Sequence, residues 1–81
     1  MTEMRARTIP AEGPAAVFDP ADPDPFAARA GAQLVEVTGD RAVVRTAGGD
    51  EVTVHRGWVV IVPDGEKPVF CTPEQAEILP A

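Results

Sequence analysis

The chain has 81 residues, with 13 acidic side chains against seven lysines and arginines, a net charge of −6 and one cysteine. A chain of this length forms one domain that buries about 60–65% of its unfolded surface, its acidity offers no counterion-releasing face to nucleic-acid phosphates, and a lone cysteine excludes an internal disulfide framework. The longest apolar run is five residues, against the roughly 18 of a membrane span, and no secretory apolar stretch opens the chain, so a soluble, intracellular protein is expected.

Residues 1–14, with Pro10, Gly13 and Pro14 among mixed charges, read as an extended arm outside a single domain of residues 15–81. Ala15-Ala16-Val17-Phe18, stopped by Asp19-Pro20, reads as a short edge strand. Prolines then recur every two or three positions through Pro25, which favours a linker. Asp24 as cap with Pro25 at the first helical position predicts a helix of about two turns, anchored by Phe26 and ended by Gly31.

Three alternating runs follow, 33–38, 41–47 and 51–55, separated by Gly39-Asp40 and Gly48-Gly49-Asp50 in the manner of hairpins. Alternation puts Val35, Val37, Ala42, Val44, Val52 and Val54 inward and Glu36, Arg45 and Thr53 outward. Trp58-Val59-Val60-Ile61-Val62 is apolar at every position, as a strand covered on both faces requires, and Gly57 before it allows a sharp bend. Pro63-Asp64-Gly65-Glu66 predicts a turn returning the chain as Val69-Phe70-Cys71, and Thr72 caps one or two helical turns over 73–79. The fold class is therefore mainly β: a small antiparallel meander curled into a partly closed, SH3-like barrel, with one short helix and a proline-rich N-terminal arm. An open sheet with the Phe26 helix across one face has the same periodicity.

Candidate chemistry is sparse. His55 is the one histidine and lies on an outward position, while Cys71 sits in an apolar run, so a Cys-His pair would need chance proximity. Asp19, Asp22 and Asp24 are separated by prolines that break a calcium-type ligand loop, and Asp64-Gly65-Glu66 is too short for a phosphate cradle. Turn and cap chemistry accounts for both groups, and no catalytic residue, metal or cofactor is expected.

The order of short motifs suggests a relationship. Met4-Arg5-Ala6-Arg7-Thr8-Ile9-Pro10, Ala16-Val17-Phe18, Gly57-Trp58-Val59-Val60, Asp64-Gly65-Glu66 and Cys71-Thr72-Pro73-Glu74 together resemble a family of small phage and prophage accessory proteins. The chain departs from that pattern in lacking an aspartate between Gly57 and Trp58, and in having Ala76 and Leu79 where aromatics occur. The resemblance covers most of the chain and implies a phage-encoded protein with no enzymatic site to carry over. It would reside in the host cytoplasm and in the virion.

Two functions follow as expectations. The first is a virion accessory, a capsid decoration or minor capsid protein, whose arm lies along a capsid or other virion subunit; self-association is compatible with it. Its interaction residues would be Arg5, Arg7, Ile9 and Pro10 of the arm, with Phe18 and Trp58, although Trp58 is first of all a candidate for the core's largest anchor. The second is a soluble regulator that binds a bacterial host protein through an acidic face. Neither involves nucleic acid or membrane as partner.

Overall fold

A computed structural model describes residues 4–8 and 11–79. The protein is mainly β, with strands β1 (Arg5–Thr8), β2 (Ala11–Val17), β3 (Gln33–Thr38), β4 (Arg41–Arg45), β5 (Glu51–His55), β6 (Val59–Ile61), β7 (Val69–Cys71) and β8 (Glu77–Leu79), and one helix, α1 (Asp24–Ala30). Every strand pairing is antiparallel. They form a five-stranded sheet ordered β7-β6-β2-β1-β8 and a three-stranded sheet ordered β3-β4-β5, without a ladder between the two among the described residues, so the curled meander does not close into a barrel. Among the described residues no helix is long and apolar enough to cross a membrane.

The N-terminal segment departs from the expected arm. Arg5–Thr8 is a strand paired on one side with Ala11–Pro14 of β2 and on the other with β8. The register explains why Pro14 does not forbid this. The Ala15 N–H donates to the Met4 carbonyl at 2.9 Å, so the neighbouring Pro14 turns its backbone away from β1. On that far side only its carbonyl is used, accepting from the Val62 N–H at 2.8 Å. β2 thus serves two partners in turn: residues 11–14 pair with β1, and 15–17 with β6. Gly13 marks the crossing, because a Cβ there would lie 2.5 Å from the Val62 carbonyl oxygen.

α1 begins one residue earlier than its cap signal suggests. Pro23 occupies the N-cap without a side-chain hydrogen bond, and Asp24 lies in the first turn, where its charge still favours the amide-rich end of the helix. Gly31 ends it with φ of 62°, as the sequence predicts. The helix buries Phe26, Ala27 and Ala30, and the Phe26 ring meets Phe18 edge-on at 5.5 Å and Phe70 at 6.0 Å.

In the three-stranded sheet Ala42, Val44 and Val54 are buried and Val52 packs beside them, as alternation requires. β3 differs. A register shift between Leu34 and Glu36 puts Leu34 opposite Val44 and against the core and leaves Val35, expected inward, 45% exposed, while Val37 keeps the expected face opposite Ala42 but is 39% exposed on this edge strand. The C-terminal segment differs as well. Thr72 caps as expected, its Oγ1 accepting from the Gln75 N–H while Gln75 Oε1 accepts from the Thr72 N–H. Only one turn follows, however, and Glu77–Leu79 extends as a strand that satisfies the outer edge of β1.

β6 is buried at all three positions, as its unbroken apolar run predicts, and it divides the interior. Val60 faces a first core with Phe18, Phe26, Ala30, Ala42 and Val54, flanked by Leu34, Val52, Trp58 and Phe70. Val59 and Ile61 face a second core with Ala6, Ala15 and Cys71, flanked by Ala76.

Candidate interaction surface

The sequence-based interaction residues do not form one patch. Arg5 and Arg7 are exposed on β1, two apart and hence on the face opposite Ala6. Arg7 is already engaged: its Nε donates to Glu77 Oε2 at 2.6 Å, and that hydrogen bond, then the Glu77 charge, raise the guanidinium pKa further above its ordinary value. Ile9 and Pro10 lie outside the described residues. Phe18 is 1% exposed and belongs to the first core, so it is closed to a partner in this fold, which corrects its assignment as a contact residue. Its backbone is pinned beside Trp58, donating to the Trp58 carbonyl at 2.7 Å and accepting from the Gly57 N–H at 3.1 Å. Trp58 itself is half-buried, packed on that core on one side and approached by the His55 ring at 5.7 Å.

The remaining candidate groups occupy separate places. Cys71 is buried in the second core, where its thiol donates to the Val59 carbonyl at 3.4 Å and burial pushes its pKa up. His55 is exposed at the end of β5, opposite Arg41, on the other sheet. The Asp19 carboxylate accepts from the Ala21 N–H at 2.9 Å, and Glu66 donates its N–H to the Pro63 carbonyl across Gly65 at φ of 71°, so both acidic stretches perform turn chemistry. Among the described residues no group of three His, Cys, Asp or Glu side chains is placed to hold a metal ion.

Three residues that sequence reasoning did not select share a face. Ile78 stands beside Ala6 and Val17 beside Val59, while Met4 precedes Ala6 by two positions and holds the Ala15 N–H. Ala6, Ala15 and Val59 floor the second core, so Met4, Val17 and Ile78, exposed at 38%, 38% and 49%, form an apolar rim around it. The alternation of Val17 with Ala15 was a usable signal for one of them. Ile78 was hidden by the helical reading of the tail and Met4 by the arm.

Two of the four sheet edges are guarded. β7 is bracketed by Pro68 and Pro73, and β3 carries its bulge, both of which discourage addition of a further strand. A cleft of about 300 Å3 between Ala30, Val52, Lys67, Pro68 and Phe70 opens beside the first core. Arg45–Glu51 and Arg56–Asp40, each at 2.8 Å, are exposed ion pairs. Comparison with known proteins finds no matching family model, no matching curated protein and no matching solved structure.

Proposed function

We propose that this is a non-enzymatic, phage-encoded interaction protein, a virion accessory of the capsid-decoration or minor-capsid kind, that docks on a larger protein assembly through the face built by β1, β2 and β8. The observation that carries this reading is the register that gathers Met4, Val17 and Ile78 on one face. The guards on β7 and β3 discourage strand addition at those two edges. The phage context comes from the order of short motifs in the sequence, which resembles that of small phage and prophage proteins. The patch is narrow, so binding energy would come from many copies on a repeating lattice, where linked weak contacts reinforce one another.

Mass spectrometry of purified virions tests the reading. Stoichiometric copies support it, and Met4→Asp with Ile78→Asp should remove the protein from particles while leaving it folded. Absence of the wild-type chain from particles would instead favour a host-directed regulator acting through the acidic surface that the net charge of −6 provides.

A further inference from the structure

We propose that β1, β8 and residues 11–13 of β2 form a wing that opens as a unit away from β6 and β7 while the first core stays folded. The wing is joined to the body by little. Its one fully buried side chain in the second core is Ala6, with Ala76 flanking from the turn that leads to β8, while Met4 and Ile78 border that core from the rim and stay 38% and 49% exposed. β1 takes its ladder bonds from β2 and β8 and none from β6 or β7. Beyond the hinge, the hydrogen bond to break is that of the Ala15 N–H with the Met4 carbonyl.

The chain passes between wing and body at two points, Gly13-Pro14, where Gly13 lies close against the Val62 carbonyl, and the capped turn of residues 72–76. The Arg7–Glu77 ion pair ties β1 to β8 within the wing and so does not resist the motion. What the closed wing covers is an apolar trough floored by Ala15, Val59, Ile61 and Cys71, each no more than 3% exposed. The wing is thus a lid on that trough, and its motion requires no partner.

The protein carries its own reporters: Cys71 for the trough and Trp58, packed on the first core, for the body. Alkylation of Cys71 by iodoacetamide under native conditions should run at least about tenfold faster than the unfolding equilibrium read by Trp58 fluorescence allows, and should depend weakly on urea, because partial opening exposes little surface. Phe26→Leu should lower the urea midpoint and leave alkylation unchanged, since the first core is intact in the open-wing state. Ala6→Gly should accelerate alkylation by about threefold or more, because the closed state loses the methyl that Ala6 buries in the second core while the ladders of β1 are the same in both states. Alkylation that tracks Trp58 in urea and rises in step with Phe26→Leu would show that only global unfolding exposes Cys71. Rapid alkylation indifferent to Ala6→Gly would place the opening in fraying of β7 and overturn the wing.

Discussion

The two cores lie on opposite faces of the same three-residue strand and are built from different materials. The first joins Phe18, Phe26 and the flanking Phe70 in ring contacts at 5.5 and 6.0 Å, and it is enclosed by a helix and two sheets. The second holds Ala6, Ala15, Val59, Ile61 and Cys71, no aromatic ring, and is enclosed by the turn of one sheet on itself. Burial stabilises in proportion to apolar area, so the first core carries most of the fold's stability and the second carries its adjustability. A single domain can in this way keep a firm body and a loose flank without a linker between them.

The largest effect should come from Phe26→Ala. Truncating a fully buried ring costs about 3–5 kcal/mol, a large share of the about 4–12 kcal/mol available to a chain this size, so circular dichroism should show the variant largely unfolded in mild urea. If it were as stable as the wild type, the division of labour between the cores would be broken. Trp58→Ala should lose roughly half as much, about 2 kcal/mol, because the indole is only half-buried; a urea titration followed by circular dichroism measures it. Gly13→Ala should cost about 1–2 kcal/mol by crowding the Val62 carbonyl, with a matching increase in Cys71 alkylation that sharpens the contrast between flank and body.

The smallest effect is on pH dependence and belongs to the second core alone. Burial raises the Cys71 thiol above its ordinary 9.0, so its contribution to stability is fully present below the unfolded value and is lost as pH rises through the folded one. Urea midpoints in reducing buffer should therefore fall as pH is raised past 9.0, and the Cys71→Ala variant should lack that part of the fall.

The body of this fold was legible in the sequence because local signals there agree with the global structure. Gly31 ends the helix, Gly39 and Gly49 turn the hairpins with positive φ, and the unbroken run at Val59-Val60-Ile61 marks the strand covered on both faces. The flank was misread where long-range pairing decides. Nothing local in Arg5–Thr8 or Glu77–Leu79 reveals that each supplies the other's ladder partner some 70 positions away, as the Arg7–Glu77 pair does. Pro14 read as a ladder breaker because the direction its backbone faces is set by the Met4–Ala15 bond, a tertiary fact. The apolar rim went unseen for the same reason, since Met4 and Ile78 share a face only through that pairing.

Native-state hydrogen exchange on the free protein tests the two-core account most directly. The Ala15 amide, bonded to the Met4 carbonyl, should exchange through an opening of low free energy and weak urea dependence. The Phe18 amide, bonded to the Trp58 carbonyl, should exchange only with global unfolding. Equal protection of the two amides, converging on the global value without added urea, would contradict the account and make the flank and body a single cooperative unit.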